Sequence, residues 1–309
     1  MAAETATDRR GVAAGLAAYS LWGVFPLVFH RLRSVGSFEI LVHRIIWSFV
    51  LVAVVLVARR RTVWLRAALT DRRLLAQAVA ASALIATNWL VYIWAVNHEH
   101  VVEAALGYYV NPLLTVALGV FVLGERLRRL QVGALGLGAL AVAILTVALG
   151  RPPWIALVLA TSFAGYGFIK RSIGLEPLES LALETAVLLP FAVVFLAVTE
   201  AQGNAALGHG SVARDATLVS LGAITAIPLL LFGAAARRIP LTLVGLLQYL
   251  TPSLQLACGV IVLGESLPPA RLAGFVVVWA ALVILGVDAL RAARAGRSAA
   301  AAEVVTEPV

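Results

Sequence analysis

The chain has 309 residues, of which 61% are hydrophobic and only 13% are charged. Soluble proteins carry about 25% charged residues, so we expect an integral membrane protein. The net charge of +8 does not indicate a nucleic-acid-binding protein, because the charges sit in short clusters between apolar runs rather than on one face. The single cysteine, Cys258, excludes an internal disulfide and a multi-cysteine metal site.

Apolar runs long enough to cross a bilayer recur along the whole chain. We predict ten spans joined by short connections, at 11–29, 38–58, 74–96, 102–123, 130–149, 153–170, 179–199, 216–235, 241–263 and 269–289. The first is predicted to be a retained span and not a secretion signal, because no small-residue cleavage site follows it. The longest connection, around 200–215, is too small for a soluble domain, so function should reside within the bilayer. The segment 291–309 is predicted to be a disordered cytoplasmic tail.

Arginine placement predicts the orientation of these spans, since cytoplasmic loops carry an excess of Lys and Arg. With the N-terminus inside, 18 of the 24 Lys and Arg residues fall on the inner side, 5 fall outside, and Arg44 lies within a span. We therefore expect a multi-pass membrane protein with an even number of spans and both termini cytoplasmic.

A repeated stretch divides the chain in two. Residues 104–127 and 244–267 are identical at 12 of 24 positions without a gap, and both end in Leu-Gly-Glu-x-Leu. Each half holds five predicted spans, an odd number, so the halves enter the membrane from opposite sides. The sequence therefore predicts an all-α membrane protein of two inverted five-helix repeats, 1–150 and 151–290. Such repeats are typical of alternating access.

Each copy carries one proline inside its apolar run, Pro112 or Pro252. A proline leaves the carbonyl four residues earlier without its helical partner, and in lipid that carbonyl must face protein or a water-filled cavity. We predict that both prolines are hinges beside a central binding site; kinks that only shape packing are the alternative. The flanking polar residues are candidate substrate contacts: Tyr108, Tyr109, Asn111, Gln248 and Tyr249.

Arg44 and Glu184 are charges deep inside predicted spans, at equivalent positions of the two halves. Each costs about 2.5–3.5 kcal/mol at a helix centre on insertion scales, so both should face the interior. Three interpretations remain open. The two side chains form a structural ion pair between the halves, or they are site charges, or they extend along their helices to a membrane interface. In the second case Arg44 would anchor an anionic substrate group, and Glu184 would bind a cation or a coupling proton.

Four further residues are candidate substrate contacts. Trp22 and Tyr166 stand at related positions in spans 1 and 6, while Asn88 and Tyr92 are one turn apart on span 3 and share a face. A hydrogen bond that stabilises the bundle is an equal alternative for Asn88. The sequence predicts no catalytic residue, no metal site and no cofactor. The glycines of the Gly-x-x-x-Gly at residues 11–15 are a candidate homodimer face.

Several longer stretches now point to a family. These are Glu39 to Ser48, Asn88 to Asn97, Glu103 to Pro112 and Gly124 to Gln131, together with Glu184 ahead of Pro190. In these stretches the chain resembles the RarD-type permeases of the EamA branch of the drug/metabolite transporter superfamily. The resemblance covers about residues 11–290 and implies an inner-membrane permease with two EamA repeats, in a group associated with chloramphenicol resistance. Thr251-Pro252 replaces Asn111-Pro112, so the two halves are not interchangeable.

We therefore expect a secondary transporter that moves a small organic metabolite or drug, in the outward direction. No Gly-x-x-x-x-Gly-Lys-Ser/Thr loop occurs in the sequence, so the energy would come from a proton gradient or from exchange for a counter-substrate. An intramembrane enzyme and a non-transporting membrane scaffold are the alternatives. The repeat argues against the scaffold, because alternating access is the main use of that symmetry.

Overall fold

The computed structural model describes residues 8–61, 63–124 and 126–306, and every regular element in this part of the chain is helical. The helices are α1 Arg9–Gly23, α2 Phe25–Arg31, α3 Ser37–Ala58, α4 Val63–Thr70, α5 Arg72–Asn97, α6 Val101–Leu123, α7 Arg129–Leu149, α8 Trp154–Ile173, α9 Pro177–Ala201, α10 Val212–Ala236, α11 Leu241–Leu247, α12 Leu250–Ala257, a π-helix Cys258–Val262 and α13 Pro269–Thr306.

Local chemistry sets several helix ends. Asp71 begins α5, where its carboxylate accepts hydrogen bonds from the backbone N–H groups of Arg73 and Leu74 at 2.8 and 3.2 Å. Such a cap satisfies donors that have no partner inside the helix. Gly124 ends α6 with a φ of 69°, a left-handed conformation that glycine adopts without a steric cost.

Nine helices or joined helices in the described residues are long and apolar enough to cross a membrane. The expectation of an all-helical, multi-pass membrane protein is therefore confirmed. Among the ten predicted spans, α8 is not in this set. It has 20 residues, but Lys170 and Arg171 lie in its last turn and reduce its apolar character. α1 and α2 together form one membrane-length unit, Arg9–Arg31.

Neighbouring helices in the bundle bury two main apolar clusters. α3 packs against α9 and α10, α5 against α8 and α9, and α1 against α10 and α12. α6 packs against α8 and α12, while α7 packs against α13. The first cluster joins α2, α3 and α5 around Phe29 and Ile93, and the second joins α6, α7 and α13 around Leu106 and Phe275.

Two expectations differ from the structure. The predicted disordered tail is helical as far as Thr306, since α13 continues through residues 291–306, and residues 307–309 lie outside the described part of the chain. This segment is rich in alanine, which has the highest helix propensity of the amino acids. The glycine pair proposed as a dimer face is buried inside the chain, where Gly11 lies against Arg238 and Ile239 and Gly15 against Leu247. That pair is therefore used for packing α1 within the bundle.

Candidate functional site

Arg44 lies on α3 and is buried, with 4% of its surface exposed. The guanidinium carbon lies 3.9 Å from the centroid of the Trp89 ring, and 5.6 and 5.7 Å from those of Phe25 and Phe29. Its Nε donates a hydrogen bond to Thr225 Oγ1 at 3.0 Å. Aromatic faces stabilise a desolvated cation by about 2 kcal/mol, so this setting replaces part of the lost hydration.

The charge of Arg44 has no anionic partner in the described residues. No described carboxylate lies within 4.0 Å of the guanidinium, and the Nε bond to Thr225 is its single side-chain hydrogen bond in that part of the chain. A guanidinium carries five N–H donors, so the Nη groups remain available. The Nη groups of Arg44 are therefore suited to donate hydrogen bonds to a carboxylate or phosphate of a ligand.

Glu184 has a different environment, although it is also buried, with 2% of its surface exposed. Its Oε1 accepts hydrogen bonds from Lys170 Nζ at 2.7 Å and Ser180 Oγ at 2.8 Å. Its Oε2 accepts one from Tyr166 OH at 3.0 Å. Lys170 also donates to Ser180, so the ion pair lies inside a closed network of hydrogen bonds.

Arg44 and Glu184 thus have separate sets of partners, and the ion pair between the halves is not formed. Each residue lies seven positions after the first residue of its helix, Ser37 or Pro177, which is about 10 Å along the axis. If the halves are inverted, the two helices begin at opposite membrane faces, and these side chains then lie at different depths.

Asn88 and Tyr108 join α5, α6 and α8 beside Arg44. Tyr108 OH donates to Asn88 Oδ1 at 3.0 Å, and Asn88 Nδ2 donates to the carbonyl of Leu159 at 2.9 Å and to Ser162 Oγ at 3.1 Å. All the polar atoms of the Asn88 side chain therefore have protein partners. The structure accordingly gives Asn88 the contacts of a bundle-stabilising residue.

Aromatic rings connect the surroundings of Arg44 with those of Glu184. Tyr92 lies 5.7 Å from Tyr108 between ring centroids, Tyr108 lies 6.0 Å from Phe163, and Phe163 lies 6.1 Å from Tyr166. The Tyr92 hydroxyl is buried, and it has no hydrogen-bond partner among the described residues. The structure therefore brings Arg44, Asn88, Tyr92 and Tyr108 together and links them to Tyr166.

The two candidate hinges differ. α6 continues as one helix through Pro112, and the side-chain oxygen of Asn111 is buried there without a partner in the described part of the chain. In the second copy the helix is interrupted at Gln248 and Tyr249, just before Pro252, and α12 passes directly into the π-helix. The same proline position therefore produces a continuous helix in one copy and a broken one in the other.

The remaining candidate residues do not contact Arg44 directly. Tyr109 belongs to the second cluster, and its hydroxyl lies 2.6 Å from Ser253 Oγ on α12. Tyr249 packs against that cluster, while Gln248 is half-buried and makes no side-chain hydrogen bond in the described residues. The Trp22 ring packs on Phe232 of α10, with ring centroids 6.0 Å apart.

One contact was missed by sequence reasoning. Gln255 is buried on α12, and its Nε2 donates to the carbonyl of Trp22 on α1 at 3.3 Å. Pro26 follows four residues after Trp22 and has no N–H to bond that carbonyl. The proline in the first span was therefore an available signal that a polar side chain of a neighbouring helix would be needed there.

The glutamate of the second Leu-Gly-Glu sequence has a structural role. Glu265 accepts hydrogen bonds from the backbone N–H groups of Val101 and Val102 at 2.6 and 2.8 Å, and so caps α6. A carboxylate at a helix N-terminus also interacts favourably with the helix dipole. Its copy, Glu125, lies outside the described residues.

Comparison with known proteins identifies the class. A model of the EamA-like transporter family matches residues 9–147. Protein RarD of Streptomyces exfoliatus is 49% identical over 97% of this chain and 96% of its own length. Protein RarD of Escherichia coli K12 is 37% identical over 91% of this chain and 95% of its own length. The Pseudomonas aeruginosa relative named chloramphenicol-sensitive protein RarD is 32% identical over 92% and 96%.

A solved crystal structure has a similar fold, with a TM-score of 0.55 at 19% identity, over 89% of this chain and 96% of the other. The fold and the relatives define a membrane transporter of the drug/metabolite transporter superfamily. Within it, the chain belongs to the EamA-like transporter family and to its RarD-type permeases. The names of family and relatives indicate a transporter and not an enzyme.

Proposed function

We propose that this permease is a secondary transporter with ten spans in two inverted repeats, 1–150 and 151–290, which exports a small organic anion by alternating access. The observation that carries the proposal is Arg44, a buried cation with no carboxylate within 4.0 Å among the described residues. Burying an uncompensated charge within a membrane span is costly. A ligand that supplies the missing anion accounts for that cost.

The pattern of helix packing supports the two repeats. A shift of about 140 residues carries α1 to α8, α3 to α9, α5 to α10, α6 to α12 and α7 to α13. Under this shift the contact of α1 with α12 becomes that of α8 with α6, and the contact of α3 with α10 becomes that of α9 with α5. All four of these helix–helix contacts are present in the structure. α8 takes the place of α1 in this scheme, so we count it as the tenth span.

The substrate class follows from the chemistry around Arg44. The guanidinium lies against aromatic rings, and its free N–H groups match the two oxygens of a carboxylate or phosphate. Tyr92 adds a buried hydroxyl that no other described residue bonds. We propose that the substrate carries one anionic group beside an apolar body, and that Pro112 and Pro252 are the hinges that expose it to either side.

Transport of purified protein in liposomes tests this proposal. The panel comprises aromatic and aliphatic carboxylates, phosphate monoesters and chloramphenicol as an uncharged member, and product analysis shows whether each solute is chemically unchanged. We expect saturable transport of at least one anion, and its loss in Arg44→Gln. Saturable transport of chloramphenicol alone, at the same rate in the wild type and in Arg44→Gln, would contradict the proposal that the substrate is an anion.

Coupling to a proton or a counter-substrate is the second part of the proposal. Glu184 is the candidate proton-carrying group, and its network with Lys170 would have to open during the cycle. With an imposed pH gradient, we expect transport by the wild type to follow the gradient and transport by Glu184→Gln to be independent of it. Equal pH dependence in the wild type and in Glu184→Gln would mean that Glu184 does not carry the coupling proton. Inside-out vesicles with the predicted cytoplasmic face outward test the direction.

A further inference from the structure

A cleft lined by arginines opens between the ends of α3, α9 and α10. Its volume is about 250 Å³, and its polar wall consists of Arg59, Arg61, Glu176 and Arg237. Arg59 follows the last residue of α3, and Arg237 follows the last residue of α10. The arginine distribution of the sequence predicts that this end of the bundle faces the cytoplasm.

Two of these four charges compensate each other. Arg61 donates from Nη1 to Glu176 Oε2 at 2.7 Å and from Nη2 to Oε1 at 3.1 Å, a two-bond pairing of guanidinium and carboxylate. These hydrogen bonds from Arg61 lower the pKa of Glu176, so this carboxylate remains ionised and occupied. Arg237 also attracts this carboxylate, but more weakly and without a hydrogen bond, so Glu176 is paired mainly with Arg61.

Arg59 and Arg237, at the ends of α3 and α10, remain without an ion pair among the described residues. Their side chains are exposed, and neither has a hydrogen bond or a carboxylate within 4.0 Å in the described part of the chain. Two guanidinium groups facing one cavity match an anion with several oxygen acceptors, and the planar fork of arginine is suited to phosphate.

The rest of the cleft is apolar. Leu178 of α9 and Leu229 and Leu230 of α10 line it on the side of the spans. Ile227, one turn deeper on α10, is 47% exposed, in a helix that is long and apolar enough to cross the membrane. The cleft therefore has a cationic mouth at the predicted interface and an apolar wall that leads towards the bilayer.

We propose that this cleft binds the phosphate headgroup of an anionic glycerophospholipid between Arg59 and Arg237, with an acyl chain along Leu229 and Leu230. Basic pockets between membrane helices on the cytoplasmic side bind such headgroups. A free phosphate would use the same cations but would leave the apolar wall without a partner. This inference does not depend on the identity of the transported solute.

Thermal unfolding of the detergent-purified full chain tests the site, with phosphatidylglycerol, phosphatidylethanolamine or inorganic phosphate added. We expect phosphatidylglycerol to raise the midpoint by roughly 5 °C, and the other two to have a much smaller effect. The variant Arg59→Gln/Arg237→Gln should lose most of this shift and bind the lipid about tenfold more weakly. Native mass spectrometry of the same samples should show fewer retained lipids.

The matched control removes two exposed arginines from the same predicted face but outside the cleft, in Arg66→Gln/Arg291→Gln. It should keep the wild-type shift. An equal loss in both double variants would mean a diffuse electrostatic effect and would overturn the site. A shift of the same size with inorganic phosphate alone would also overturn the lipid assignment, as would an unchanged shift in Arg59→Gln/Arg237→Gln.

Discussion

Arg44 and Glu184 lie 140 residues apart, at equivalent positions of the two proposed repeats, yet their charges have different surroundings. Glu184 is held by a lysine, a serine and a tyrosine, which satisfy both of its oxygens. Arg44 is held by aromatic faces and one threonine. Both oxygens of Glu184 therefore have protein partners, while the Nη groups of Arg44 have none among the described residues.

The difference between the two charges can be measured by comparing the effect of each substitution on folding stability with its effect on transport. If Glu184 belongs to a compensated pair, changes in its network should first affect folding. If Arg44 belongs to a ligand site, changes there should first affect transport. The following substitutions separate the two outcomes.

Removal of the lysine partner should have the largest effect. Lys170→Met leaves Glu184 as a buried charge without its cation, and breaking a buried pair costs about 3–5 kcal/mol. We expect a clear fall in the thermal unfolding midpoint and in folded yield. The double variant Lys170→Met/Glu184→Gln should recover much of this loss, since no charge remains. A single variant as stable as the wild type would show that the pair contributes little.

Removal of the arginine should act on transport. Arg44→Gln eliminates charge-assisted hydrogen bonds worth about 1.5–3 kcal/mol, so we expect the apparent affinity for an anionic solute to fall roughly 10- to 100-fold. Unfolding should be little affected, because no protein anion loses its partner. Arg44→Lys keeps the charge but lacks the planar guanidinium, so its apparent affinity for the solute should lie between those of the wild type and Arg44→Gln. A large loss of stability with unchanged transport would reverse the assignment.

Thr225 tests whether Arg44 must be oriented for binding. Thr225→Val removes the Nε partner at 3.0 Å and should weaken solute affinity about fivefold, corresponding to about 1 kcal/mol. Thr225→Ser retains a hydroxyl and should restore most of the affinity. If Val and Ser variants transport equally, Thr225 only fills space.

The smallest effect is expected at the connection between the two regions. Tyr108→Phe removes the hydrogen bond to Asn88 but retains the ring between Tyr92 and Phe163. Hydrogen bonds between membrane helices contribute about 0.6 kcal/mol on average, so the unfolding midpoint should fall only slightly. A loss of transport comparable to Arg44→Gln would show that the hydroxyl contacts the solute.

The burial of both charges was predictable, because a charge in an apolar run must find protein or ligand. Their partners were not. Thr225 is 181 positions from Arg44 in the chain, and only the packing of α3 on α10 brings them together. Lys170 was counted as an inner-face charge, although its flexible side chain extends back to Glu184. The membrane class, the helical fold and the family could be recognised from apolar runs and motifs.

The different behaviour of the two prolines was also beyond sequence reasoning. Pro112 and Pro252 sit in copies that align without a gap, yet only the second copy is broken. Whether a proline-containing helix breaks depends on which groups satisfy its freed backbone carbonyl. In the second copy the carbonyl of Gln248 accepts a hydrogen bond from the N–H of Thr251 at 3.3 Å. The extra break between α1 and α2 likewise reflects Pro26, inside what was predicted as one continuous span.

The π-helix Cys258–Val262 affects where the residues that follow it lie around the helix axis. At the break, Tyr249 and Thr251 bond three residues back, at 3.3 Å each, which overwinds the backbone. Within the π-helix, Leu263 bonds five residues back to Cys258 at 2.9 Å, which underwinds it. The two rotations are opposite in sense. Gly264 ends this helix at a φ of 72°, close to the 69° of Gly124, and the next residue, Glu265, reaches the first turn of α6 despite the break that precedes it.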